Sequence, residues 1–306
     1  MQTAPLRFGY TGSVQLLPLL YPLLAGWVEP SGRPIAWEDR PAADLLAALD
    51  AGDLDAALVS PVAYARRRAD LTLLPGVGLA SEGPTAAAVL QSATRPDLLD
   101  GQAIRLAGSS IDDAGAALLV VLMRPYYGVE RARWLATDET PTDGTPPAGR
   151  QLSGDAAVAA RRPWLLYEAY LRTIEPIGSD EPPHRRPPVA PVAAPDPAVA
   201  GHAEDLGAAW WVLTGVPVVW MLGVVRRPLV EQDPALPGRL IDAFALARRT
   251  AGEQWPSVLA AAAARVDLPE PAVAALFAPQ VTTLGPREMG ALDAYYTYTR
   301  RLRLTR

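Results

Sequence analysis

Four short segments place hydroxyl and small residues where strands are predicted to end and helices to begin: Tyr10-Thr11-Gly12-Ser13, Val59-Ser60, Gly108-Ser109-Ser110 and Ser153-Gly154-Asp155. A serine or aspartate at such a position ordinarily caps the helix, its oxygen accepting a backbone N–H of the first turn. Gathered at one cleft, four such starts would form a set of hydroxyl and N–H donors suited to a carboxylate. Stronger nucleophiles are missing. The 306 residues include no cysteine, lysine or asparagine, which excludes a thiol nucleophile, a disulfide, a thiolate zinc site and a Schiff-base lysine. Both histidines, His184 and His202, fall in a proline-rich stretch without metal-ligand spacing, and neither a phosphate loop nor a dinucleotide glycine fingerprint occurs. The expectation is chemistry with no metal and no cofactor.

The elements that must hold these segments follow from apolar periodicity. The first third alternates as strand Leu6 to Tyr10, a helix from Ser13, strand Pro34 to Trp37, helix Ala42 to Ala51 and strand Ala56 to Val59, the pattern of an α/β fold. Leu71 to Gly76 and Thr85 to Gln91 are further apolar runs, the second a crossover strand leaving the first lobe. A second series follows, with strand Ile104 to Ala107, helix Asp112 to Met123, strand Arg133 to Leu135 and helix Asp155 to Ala160. From about 175 to 204 the chain is too rich in proline for regular structure and reads as an exposed insertion. Four helices are expected beyond Arg227: Leu236 to Arg248, Gln254 to Arg265, Glu270 to Phe277 and Pro286 to Arg301.

Half of the chain is hydrophobic, enough for one large core or two modest ones. A net charge of -5 argues against a nucleic-acid partner, which calls for a basic footprint. The opening residues lack a cationic stretch followed by an apolar core, so a cytoplasmic location is expected. Trp210 to Val225 is apolar but broken at TGVP and short of the roughly 20 residues a membrane span needs.

The densest signature is DLGAAWWVLTGVPVVWMLGVVRR, from Asp205 to Arg227. Asp205 suits an N-cap, Leu206, Trp210 and Leu213 recur at helical spacing, Gly215 suits a left-handed C-cap, and Pro217 bars continuation before the strand Val216 to Val225. This run closely resembles the late signature of the chorismate dehydratases of the futalosine route to menaquinone. FGYTGSVQLLPLLY resembles that family's opening through Tyr10 and Ser13, with Gly12 where the family carries an asparagine regarded as catalytic. DLDAALVSPVAYAR matches through Ser60 and Tyr64, SEGPTAAAVLQS resembles the crossover strand, LAGSSIDDAGAALL matches through Ser110, and SGDAAV through Gly154, Asp155 and Ala156. Asp112 and Asp113 stand where smaller hydroxyl residues are usual, and are compatible with a dianionic substrate if they face solvent as first-turn helix acids.

The resemblance implies a two-lobed α/β fold of the periplasmic-binding-protein-like type II class, with two parallel or mixed sheets flanked by helices and the C-terminal helices packed on the first lobe. Residues 1–90 and 222–306 would form that lobe, and 91–221 the second. The implied activity is loss of water from chorismate to give 3-[(1-carboxyvinyl)oxy]benzoate. The partner would be this small carboxylate, and the base the substrate's own side-chain carboxylate. Ser13 and Asp155 are the implied catalytic residues, with Asp155 orienting a donor or capping its helix. Thr11, Gly12, Ser60, Thr85, Ser109 and Ser110 are the implied substrate contacts. The alternative is a non-catalytic binding protein for an aromatic or shikimate-type carboxylate.

Overall fold

The computed structural model describes residues 4–30, 32–107, 111–139, 141, 144–174 and 192–305. The chain opens with β1 (Leu6–Tyr10), a 3-10 turn at Val14–Leu16 leading into α1 (Leu17–Leu24), β2 (Ile35–Asp39), α2 (Ala42–Ala51), β3 (Ala56–Val59) and α3 (Pro61–Arg67). After β4 (Leu71–Ser81) come β5 (Ala88–Ser92), β6 (Ala103–Arg105), α4 (Ala114–Met123), β7 (Arg133–Leu135), β8 (Gly149–Ser153) and the long α5 (Gly154–Ile174). Short α6 (Pro197–Ala200), β9 (His202–Asp205) and α7 (Leu206–Thr214) lead to β10 (Val218–Arg226). The C-terminal part is α8 (Arg227–Gln232), α9 (Leu236–Glu253), α10 (Trp255–Val266), α11 (Glu270–Phe277), β11 (Gln280–Leu284) and α12 (Pro286–Arg301).

Two mixed sheets result. The first runs β11-β4-β10-β3-β1-β2 and the second β7-β6-β8-β5-β9. The parallel βαβ units expected from the first third are present, β1 pairing in parallel with β2 and β3, whereas β10 runs antiparallel to both β3 and β4. β5 lies wholly in the second sheet and β10 wholly in the first. The chain therefore passes between sheets before residues 88 and 218, a few residues earlier than the expected boundaries at 90/91 and 221/222.

Aromatic packing pins the C-terminal helices to the first sheet. Phe8 of β1 lies 5.0 Å from Trp37 of β2 and 5.5 Å from Phe244 of α9, centroid to centroid. Trp210 of α7 is fully buried, 5.8 Å from Tyr295 of α12, so the family-like signature is core as well as marker. Burial of one such ring is worth about 1.5–3 kcal/mol. Asp205 caps α7 by accepting from the Ala208 N–H, and Gly215 ends it at φ +68°, a conformation that glycine adopts without a Cβ clash.

Several expectations change. The described part of the proline-rich stretch is not wholly irregular: residues 197–200 form a helical turn, and His202–Asp205 pairs with β5 as an edge strand. Residues 175–191 of that stretch lie outside the described residues. The helix expected over 155–160 continues to Ile174 despite Pro163. Strands β8 and β11 were not anticipated. Each gains its hydrogen bonds from partners distant in the chain, a signal that local periodicity does not carry.

Candidate functional site

Between the sheets lies a cavity of about 170 Å³ to which both lobes contribute. Thr11, Gly12 and Ser13 form one rim, and Asp113, Ser153, Gly154 and Asp155 the other. Leu16, Leu79, Trp220 and Met221 supply its apolar surface. Thus two of the four predicted segments meet as expected. Ser109 and Ser110 lie outside the described residues.

The first rim is a strand end entering a helix. Ser13 caps the turn, its Oγ accepting from the Gln15 N–H at 3.3 Å while its own hydroxyl donates to Gln15 Oε1. Gln15 is 1% exposed, and its amide donates to the carbonyls of Thr85 and Ala86, tying this rim to the crossover between sheets. A glutamine inside the apolar run VQLLPLL was the sequence signal for this role, and its partners were not legible there. The Gly12 N–H donates to Asp39 Oδ1 at 2.6 Å. A Cβ on Gly12 would stand 2.0 Å from Asp39 Oδ2, so this carboxylate occupies the space a larger residue 12 would need.

The second rim is half-buried and cross-braced. The Ala107 N–H donates to Gln151 Oε1 at 2.9 Å, Gln151 Nε2 to Ser153 Oγ at 2.7 Å, and the Ser153 hydroxyl to Asp113 Oδ1 at 2.9 Å. Asp113 Oδ1 also accepts from the Ala116 N–H, capping α4. Gly115 permits this closeness, since a Cβ there would meet Gln151 Nε2 at 2.5 Å. Burial pushes the Asp113 carboxyl up from the ordinary range, against the opposing pull of these bonds. The condition under which Asp112 and Asp113 would suit a dianionic substrate, both facing solvent as first-turn acids, is therefore not met. Asp113 lines the cavity as a helix cap, and Asp112 pairs with Arg66 at 2.8 Å.

Asp155 neither caps its own helix nor orients a serine in the described contacts. Its Oδ1 accepts from the Val14 N–H at 2.7 Å, across the cleft, and its Oδ2 from Arg265 at 2.6 Å. It joins the lobes. Ser60, 5% exposed, is not brought to the cavity: its Oγ accepts from the Ala63 N–H and caps α3. Thr85 is also set apart, its hydroxyl buried without a partner among the described residues, beside a pocket of about 30 Å³ that Arg161 and Asp205 share. A wider groove of about 620 Å³, lined in part by Arg105 and Arg150, opens elsewhere on the second lobe, and its lining includes none of the predicted site residues.

Two consequences follow for chemistry. Among the described residues the cavity lining contains no arginine, so an anion there would be held by hydroxyl and N–H donors rather than by a cation. Among the described residues no cluster of histidine, aspartate or glutamate is suited to a metal ion, and no helix is long and apolar enough to cross a membrane.

A family model described as menaquinone biosynthesis matches residues 6–159 and 196–301. Among solved structures, protein AF1704 from Archaeoglobus fulgidus superposes with a TM-score of 0.68 at 15% identity, over 99% of this chain and 100% of that one. The periplasmic aliphatic sulphonate binding protein SsuA from Escherichia coli gives 0.58 at 15% identity, over 99% and 89%. The CA3427 gene product of Candida albicans, described as having the generic periplasmic binding protein structural fold, gives 0.60 at 9% identity, over 99% and 96%. The fold is therefore periplasmic-binding-protein-like. The chain belongs to the menaquinone biosynthesis family, the pathway to which its motifs pointed.

Proposed function

We propose that this member of the menaquinone biosynthesis family is a chorismate dehydratase, a cytoplasmic hydro-lyase that forms 3-[(1-carboxyvinyl)oxy]benzoate from chorismate without metal or organic cofactor. The observation that carries the reading is the interlobe cavity, with an apolar surface from Leu16, Leu79 and Trp220 for a carbocycle and rims of hydroxyl and N–H groups for its carboxylates. No nucleophile is required of the protein. Loss of the hydroxyl and a ring proton gives an aromatic ring, and the side-chain carboxylate, folded over the ring, takes that proton. The protein's part is then positioning, worth about 7–11 kcal/mol at its upper limit. Thr11, Gly12, Ser13 and Ser153 are the contacts the geometry favours. Ser109 and Ser110 are further proposed donors on sequence grounds.

The second reading, a binding protein for an aromatic carboxylate, is favoured by Gly12: no amide side chain stands at this position, and Asp39 fills its place. Incubation with chorismate separates the two. Appearance of the aromatic carboxyvinyl ether, unaffected by a chelator, is expected of the dehydratase. Saturable binding with chorismate recovered unchanged would establish the binding protein instead.

A further inference from the structure

Dehydration leaves one role unfilled. The substrate carboxylate can take the ring proton, but the departing hydroxyl must also receive one, and the chain has no lysine or cysteine and, among the described residues, no histidine in the cavity lining. Among the described residues of the lining, two carry a carboxyl group, Asp113 and Asp155. Both oxygens of Asp155 are taken, one by the Val14 N–H and one by the Arg265 guanidinium. Asp113 differs. The Ala116 N–H and the Ser153 hydroxyl both donate to Oδ1, the Gly115 N–H and the Gln151 amide also lie against the carboxyl, and all of these are neutral groups.

No cation among the described residues forms an ion pair with Asp113. From α3, Arg66 is bound to Asp112, and from α12 the buried Tyr295 is the ionisable neighbour. Asp205, at the start of α7, accepts from the Ala86 and Ala208 N–H groups, while Arg150 of β8 donates to Gln91. β5 has no ionisable side chain, and β10 has only Arg226 at its far end. A carboxyl partly withdrawn from water and with no counter-cation keeps its proton to higher pH.

We infer that Asp113 is the general acid of this cavity, giving its carboxyl proton to the hydroxyl that leaves the ring. The inference rests on the dehydratase reading. The ring C–H pair becomes the new π bond and its proton goes to the substrate side-chain carboxylate. The C–O pair departs with the hydroxyl, and the Asp113 proton completes the water. Asp113 is left as a carboxylate, and the proton on the substrate carboxyl returns to it, so the net change is loss of one water.

Asp113→Asn is the decisive variant, because asparagine caps a helix as well as aspartate and retains an oxygen for Ala116 and Ser153, but has no acidic proton. Its kcat should fall about 100-fold or more, the scale of a general acid, with affinity for the aromatic product unchanged. Since the acid must hold its proton, wild-type kcat should fall as pH rises through the Asp113 pKa, a limb absent from the variant and separate from the acid limb on which the substrate carboxylate is protonated. Asp113→Ser, also a sound cap, should be comparably slow. A wild type that converts chorismate while Asp113→Asn matches it, or keeps the alkaline limb, overturns the general acid and leaves the dehydratase reading intact. A wild type that converts no chorismate removes the reading, and the inference with it.

Discussion

The two rims of the cavity are both helix starts capped by side-chain oxygens, yet they are built in opposite ways. On the first, the Gly12 N–H is covered by Asp39, an exposed carboxylate at a strand end, and the Val14 N–H by Asp155 from the other lobe. On the second, Gln151, Ser153 and Asp113 satisfy one another within a single lobe, with Gln151 1% exposed. A ligand can displace the acids of the first rim into water. It cannot rearrange the second without leaving buried polar groups unpaired. The first rim is thus suited to opening and exchange, the second to holding one fixed geometry.

The largest test of that contrast is Gln151→Leu, which deprives the Ala107 N–H of its acceptor and Ser153 Oγ of its donor. Stability should fall by about 1–3 kcal/mol in urea denaturation, against a few tenths for Asp39→Ala on the exposed rim. Equal losses would erase the distinction.

A smaller effect concerns pH. Burial raises the folded-state pKa of Asp113 above the unfolded value of about 4, so its contribution is fully present below that value and is lost as pH rises through the folded pKa. Asp113→Asn should therefore match the wild type in stability near about pH 4 and gain on it at higher pH. Asp205, raised by the same burial, should leave a remaining slope in the variant. A stability difference that did not change with pH would contradict the buried acid.

Smaller again is Asp155→Asn. The new amide oxygen still accepts from Val14, but Arg265 loses an ion pair in which both side chains are more than a third exposed. The expected loss is about 0.2–1 kcal/mol, shrinking in high salt, read as a denaturation midpoint.

These rims also show what a sequence can carry. The Asp205 cap, the Gly215 stop and the strand that follows are local events, legible from spacing alone, and they fall where expected. Ser13, Gly154 and Asp155 were legible as helix starts for the same reason. Asp155 was not legible as a link between lobes, because Val14 is 141 residues away. Ser60 and Thr85 show the converse, since a hydroxyl at the right local position caps its own helix or faces a different pocket. Asp39, which ends an ordinary amphipathic strand, gave no sign of its proximity to Gly12.

That proximity sets the last and smallest prediction. From sequence alone, Gly12→Asn should preserve or improve turnover by restoring the amide. The structure reverses this, because Asp39 Oδ2 stands 2.0 Å from where the new Cβ would be, and the incoming side chain must expel it. Asp39→Ala alone frees the Gly12 N–H and removes a negative charge from the cavity edge, which at an exposed site is worth about 0.2–1 kcal/mol, or roughly 1.4- to fivefold in affinity for a carboxylate. Gly12→Asn alone should weaken binding, whereas Gly12→Asn in the Asp39→Ala background should not. The two changes are therefore non-additive, as side chains competing for one space must be. Calorimetry with the aromatic product, at low and high salt, separates the parts: the gain from Asp39→Ala should fade as salt screens the charge, while the steric coupling persists. If the effects of the two substitutions simply add, Asp39 does not compete with residue 12 for that space, and the first rim is as fixed as the second.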